Sequence, residues 1–207
     1  MDVRTTPSLF WDLFAPVYDF ATRSGDVGLA EAAAWVASFL DRHDIVLDAA
    51  CGTGALACAL APHVGFVAGN DLSTQMVARA RAKAKRLGLE NTAFDVGNIC
   101  TLDFANETFD AVVAGNILHL LVSPERALSE LTRVTRPGGI IALPTYMNAE
   151  DQDRRFLWLI EALGFAPTAE WNEAEYLRFL EEQGMTVLEH RSFAAKQPLC
   201  VAICRRA

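Results

Sequence analysis

Ile45-Val-Leu-Asp48-Ala-Ala50-Cys51-Gly52-Thr-Gly54-Ala-Leu-Ala-Cys58-Ala-Leu-Ala61 is the stretch whose reading decides the fold. A short apolar run with β-branched residues ends in Asp48, a turn of small residues follows, and an alanine-rich segment takes over at about Gly54. The pattern predicts a strand, a tight turn and a helix start. Gly52 and Gly54 can take backbone angles closed to other residues and carry no Cβ to hold a ligand away. The backbone itself can therefore form the wall of a site for a nucleotide-like cofactor.

Downstream, Val64 to Gly69 reads as a second strand ending at Asn70 and Asp71. Asp71 follows Gly54 at close to the spacing at which an acid ending the second strand of a βαβ unit meets a ribose, and two carboxylate oxygens suit two hydroxyls. Ser73 is placed to cap a helix whose Met76, Val77, Ala80, Ala84 and Leu87 form an inward stripe ending at Gly88. Asn91 to Gly97 and Phe109 to Gly115 give a third and a fourth strand, the latter leading into Asn116 and His119. Ser123-Pro124-Glu125 carries the signs of a capped helix start, and Arg136-Pro137-Gly138-Gly139 ends that helix and turns into a fifth strand, Ile140 to Leu143.

Two more helices, Asn148 to Leu163 and Glu173 to Glu182, precede strands at Gly184 to Phe193 and Pro198 to Cys204. Alternating strands and helices imply a parallel sheet covered on both faces. Upstream, residues 7 to 40 read as helical. Phe10, Trp11, Phe14, Val17, Tyr18 and Phe20 form either a helix packed on the core or a lid whose rings close a pocket and attract a cation. After a break at Gly25 to Gly28, a second helix is expected over Leu29 to Leu40.

With 207 residues, 52% of them hydrophobic, the chain is long enough for one well-buried domain. A net charge of −8 disfavours a nucleic-acid surface, which needs clustered Lys and Arg, and the basic run Arg79 to Arg86 reads as a solvated helix face. Cysteines 51, 58, 100, 200 and 204 contain no Cys-x-x-Cys pair, and the four histidines lack metal-ligand spacing. Reduced buried thiols, no metal site, no integral membrane contact and a cytoplasmic location are the expectations. Gly52-Thr53-Gly54-Ala55-Leu56-Ala57 also satisfies a loose dinucleotide fingerprint, so an NAD(P) dehydrogenase stays open at this point.

Taken in order, Tyr18-Asp19, Val46 to Gly54, Asp71 to Met76, Gly97-Asn98, Phe109-Asp110, Leu118-His119 and Arg136 to Gly139 resemble the class I S-adenosylmethionine-dependent methyltransferases. The likeness is strongest to the small-molecule branch that includes quinone-biosynthesis enzymes. It implies a doubly wound, seven-stranded, mostly parallel Rossmann-like α/β sheet with an N-terminal helical lid. One domain, 1–207, would comprise a cap (1–40), a cofactor-binding core (41–146), an acceptor-side helical insertion (147–183) and a final strand pair (184–207).

The resemblance implies S-adenosyl-L-methionine as cofactor, held by Tyr18, Asp48, Ala50, Cys51, Gly52, Gly54, Asp71, Leu72, Met76, Asn98, Ile99 and Asn116. Asp71 would take the ribose hydroxyls, Leu72 and Ile99 the adenine faces, Asn98 its amine, and Asn116 the methionine side. Asp48 would orient the loop, and Tyr18 would meet the cofactor's carboxylate end. His119 and Tyr18 are the candidates to act on a small-molecule methyl acceptor of partly apolar or aromatic character, with His119 as a base where the acceptor must lose a proton. A homodimer and a catalytically silent cofactor-binding domain are the other readings. Two residues depart from the family pattern: Ala50 stands at the usual first Gly and Asn98 at the usual Asp. The Ala50 methyl predicts a turn that keeps φ negative at that position.

Overall fold

The computed structural model describes residues 11–16, 18, 26–147, 168–194 and 198–206. Residues 11–16 are helical. They are followed by α1 (Asp26–Ala37), β1 (Ile45–Ala49), α2 (Ala55–Leu60), β2 (Phe66–Asp71), α3 (Thr74–Arg86), β3 (Thr92–Val96) and β4 (Phe109–Val113). Then come α4 (Pro124–Val134), β5 (Thr135–Tyr146), α5 (Glu173–Glu182), β6 (Thr186–Phe193) and β7 (Leu199–Arg205). The expected helix at Asn148 to Leu163 lies outside the described residues.

Among the described residues one seven-stranded sheet forms, in the order β3-β2-β1-β4-β5-β7-β6. The first five strands are parallel, and β7 runs antiparallel to both β5 and β6. Strand sidedness divides the core. Val46, Ala111, Val113, Ala142, Val201 and Ile203 face α1, α2 and α3, whereas Leu47, Val112, Ile141, Leu143, Cys200 and Cys204 face α4 and α5. Because both faces are covered, these strands read as apolar runs without polar alternation. Cys200 and Cys204 share one face of β7, as their spacing predicts, and all five cysteines are free thiols.

Several boundaries differ from the sequence expectation. α1 begins at Asp26 and takes Gly28 inside the helix. Leu87 falls beyond the last turn of α3 and is 56% exposed, so the buried stripe stops at Ala84. Ser73 does cap α3, its hydroxyl accepting the Met76 N–H, but the Ser123 side chain makes no capping bond to α4. Arg136 to Gly139 belongs to β5 itself: Phe109 pairs with Thr135 and Ala111 with Ile140, so β5 bulges between them, with Gly138 left-handed. α5 carries a full capping box between Asn172 and Glu175.

The turn after β1 corrects the sequence reading most directly. Ala50 has φ +56°, Gly52 +53° and Gly54 +76°, so three left-handed positions alternate through it. Ala50 therefore does need the conformation that its methyl disfavours. Gly54 is required for a different reason: a Cβ there would stand 2.9 Å from the Ala80 Cβ, where α2 meets α3.

Asp48 is 1% exposed and its Oδ2 accepts the Ala57 N–H at 2.9 Å, satisfying one of the free donors in the first turn of α2. Burial, with help from nearby Asp71, raises its pKa to about 7, against the lowering effect of the Ala57 bond.

Two predictions follow from this turn. Ala50→Gly should raise stability by about 1 kcal/mol, the strain relieved less the added unfolded-state entropy, measured as the urea midpoint at constant slope. For Asp48, the native state holds the proton more tightly than the unfolded chain. Its burial penalty is therefore absent below the ordinary value of 3.8 and grows as pH rises toward about 7. Asp48→Asn keeps the acceptor oxygen and should stabilise the protein more at pH 8 than at pH 4.5 in paired unfolding titrations.

Candidate functional site

The order of the sheet reverses between β1 and β4, and a crevice opens beyond the carboxyl ends of strands at such a point. A cleft of about 780 Å³, measured out to its open mouth, lies there. β1 leads into it with Ala50 and Gly52, β2 with Asp71 and Leu72, β3 with Gly97, Asn98 and Ile99, and β4 with Gly115, Asn116 and Ile117. Met76 of α3, together with Leu120 and Leu121, deepens the apolar wall, and Trp11 and Tyr18 approach from the N-terminal helical segment.

Asp71 is the one carboxylate on the cleft wall among the described residues. Its Oδ2 accepts the Gly52 N–H at 2.8 Å and its Oδ1 the Ser73 N–H at 2.9 Å. Each oxygen keeps a further lone pair for a ligand donor. Burial raises the pKa of this carboxyl, opposed by the bonds from Ser73 and Gly52 and reinforced by Asp12. Asn98 Oδ1 accepts the Cys100 N–H at 2.9 Å, a local turn that fixes the amide beside Ile99. Asn116, left-handed at φ +54°, ties β4 to β5: its N–H donates to the Pro144 carbonyl, and its Oδ1 accepts the Tyr146 N–H, both at 2.8 Å.

Of the residues singled out from the sequence, Tyr18, Ala50, Gly52, Asp71, Leu72, Met76, Asn98, Ile99 and Asn116 meet around this cleft. Asp48, Cys51, Gly54 and His119 are not on its wall. Asp48 and Gly54 shape the turn from beneath. Cys51 is 8% exposed and packs in the core, with burial pushing its thiol pKa well up. The His119 carbonyl accepts the Thr168 N–H and Oγ–H at 2.8 and 2.9 Å, while its side-chain Nδ1 is enclosed without a partner.

Burial depresses the His119 pKa to about 4, leaving a weak base that is neutral at pH 7. Trp171, just before α5, stacks on Phe179 at 4.8 Å and packs on the core. Residues missed by sequence reasoning include Ile117, Leu120 and Leu121. Their apolar character reads as ordinary core until the turn after β4 turns them to the cleft.

The cleft fits an uncharged-edge nucleoside better than a phosphate. No Lys or Arg reaches its wall among the described residues, and a Cβ on Gly52 would meet no protein atom within 4 Å, so the glycine leaves room for a ligand against the backbone. No cluster of three or more metal-ligating side chains occurs among the described residues, and none of their helices is long and apolar enough to cross a membrane.

Residues 47–143 match a family model described as "Methyltransferase domain". The chain is 38% identical over 128 residues to a phosphatidylethanolamine N-methyltransferase of Cereibacter sphaeroides, covering 61% of this chain and 62% of that one. It is 42% identical over 104 residues to a demethylmenaquinone methyltransferase of Bacillus cytotoxicus, covering 48% and 44%. The chain thus spans about half the length of the curated relatives it matches.

The fold is similar to that of a SAM-dependent methyltransferase from Aquifex aeolicus, with a TM-score of 0.72 at 22% identity over 88% of this chain and 93% of that one. It is similar also to magnesium protoporphyrin IX methyltransferase from Synechocystis with bound SAH, at 0.69 and 20% over 91% and 88%. Domain match, strand order and the cleft at the β1–β4 crevice agree: the chain has the fold of the class I S-adenosylmethionine-dependent methyltransferases and matches their domain in sequence over residues 47–143.

Proposed function

We propose that the cleft binds S-adenosylmethionine and that the protein transfers its methyl group to a small, partly apolar or aromatic acceptor. The observation that carries this reading is the Asp71 carboxylate, held open-handed by two backbone N–H groups at the rim of an apolar cleft. In this reading Asp71 accepts from the two ribose hydroxyls, Leu72 and Ile99 enclose the adenine faces, and Asn98 accepts from the adenine amine. Ala50 and Gly52 bring backbone against the ribose and methionine part, and Met76 closes the floor. Tyr18 and Asn116 stand toward the methionine end.

The cofactor supplies a methyl carbon already activated by its sulfonium. What the chain contributes is alignment and exclusion of water, the two terms that dominate an in-line displacement. Trp11, Ile117, Leu120 and Leu121 give the remaining wall its apolar character. Asp71 and Tyr18 are the titratable side chains on the described cleft wall, and His119 stands off it with its pKa near 4. The acceptor therefore brings its own nucleophile, such as a neutral amine or an electron-rich ring carbon, and His119 acts as a packing residue in place of a base. The two relatives are named for an amine and a quinone substrate, chemistries within that range.

Calorimetry with S-adenosylhomocysteine tests the reading. Wild type should bind, and Asp71→Ala should weaken binding roughly 30-fold, about 2 kcal/mol for two bonds to a charged group. No heat for wild type, or undiminished binding by Asp71→Ala, would refute it. Asn98→Asp retains the acceptor for Cys100 N–H and adds charge assistance to the adenine contact, so affinity should tighten by about threefold in the same experiment.

A further inference from the structure

The N-terminal helical segment is fastened beside the cleft by one carboxylate. Asp12 Oδ1 accepts the Ser73 Oγ–H at 2.5 Å and the Gln75 N–H at 3.1 Å. Ser73 also accepts the Met76 N–H on its Oγ at 3.1 Å and donates its own N–H to Asp71 Oδ1 at 2.9 Å. One residue thus joins the cleft carboxylate to the segment above it. Asp12 itself is not on the cleft wall, but its neighbour Trp11 is, and so is Tyr18.

The rings of this segment brace one another edge to face: Trp11 to Phe14 at 6.5 Å, Trp11 to Tyr18 at 6.3 Å and Phe14 to Tyr18 at 6.1 Å. A carboxylate also suits this position, because the first turn of α3 offers N–H groups that the helix leaves unbonded and the positive end of its dipole. The bonds from Ser73 and then Gln75 hold the Asp12 carboxyl below its usual pKa, so it stays charged and bonded at neutral pH.

Building on the cleft as the S-adenosylmethionine site, we propose that Asp12 is a positioning residue whose carboxylate latches the aromatic N-terminal segment over the cleft, coupling closure by Trp11 and Tyr18 to Asp71 through Ser73. Asp71 keeps its bond from the Ser73 backbone N–H when Asp12 is replaced, so the latch acts on the ligand chiefly through those two rings. A role confined to stabilising α3 would act without them, and this difference makes the two separable.

The experiment is a mutant cycle on the full chain, reading S-adenosylhomocysteine affinity by calorimetry and its dissociation rate by chase of radiolabelled ligand. Asp12→Ala should weaken binding roughly 10-fold, chiefly through faster dissociation, and Asp12→Asn, which keeps an acceptor oxygen, should recover most of it. In a background carrying Trp11→Ala and Tyr18→Ala, Asp12→Ala should change affinity less than about twofold. Equal losses in both backgrounds, or no loss in a wild type that binds, would overturn the latch while leaving the cofactor reading intact. A wild type that binds no S-adenosylhomocysteine would overturn both.

Discussion

The constraint on which the rest depends is the exit from β1. The chain must leave a strand buried from Val46 onward and enter a helix within the five residues from Ala50 to Gly54, and it does so by placing Ala50, Gly52 and Gly54 in the left-handed region. That path turns the Gly52 N–H toward the neighbouring strand end, where Asp71 accepts it. It also brings the start of α2 over Asp48, whose carboxylate takes the Ala57 N–H. Both acids therefore act first on the backbone. Asp48 does so from within the core and Asp71 from the cleft wall, and this division explains why only one of them remains open to a ligand.

The same turn connects to the second strand–helix junction. Asp71 bonds Gly52 on one side and Ser73 on the other, Ser73 caps α3, and Asp12 reaches Ser73 from the N-terminal segment. Bonds of this kind contribute about 1 kcal/mol each, more where a charge takes part, so none is decisive for stability alone. Together they fix the relative placement of three segments around one opening. Placement to within a fraction of an ångström is what an alignment-driven transfer requires of its protein.

His119 illustrates how sequence position and chemical role part. It stands where the loop after β4 reaches the ligand edge of the sheet, as the sequence indicates. Its neighbours Leu120 and Leu121 take the cleft wall, whereas the imidazole is half-buried, with Nδ1 enclosed and unbonded and its pKa depressed. Such a neutral histidine costs stability as the pH falls from its ordinary value toward about 4, opposite in sign to the contribution of Asp48 over much of the same range. The two partly cancel, so the acid response of the whole protein understates either one.

The sequence by itself determined the strand–turn–helix at Ile45 to Ala61, the acid closing β2, the alternation of strands and helices and the final antiparallel pair, because these rest on local periodicity and turn chemistry. The capping of α3 by Ser73 was legible for the same reason, since a cap and its partner lie three residues apart. The tertiary structure decided which way each residue of the glycine turn faces. Cys51 and Gly54 turn to the core and to Ala80, and Ala50 takes a left-handed angle that its own methyl resists. It also decided that Asp12 meets Ser73, 61 positions away, and that Ile117, Leu120 and Leu121 form a wall. Contacts of that range depend on how α3, the loop after β4 and the N-terminal segment pack together, and no local pattern encodes them.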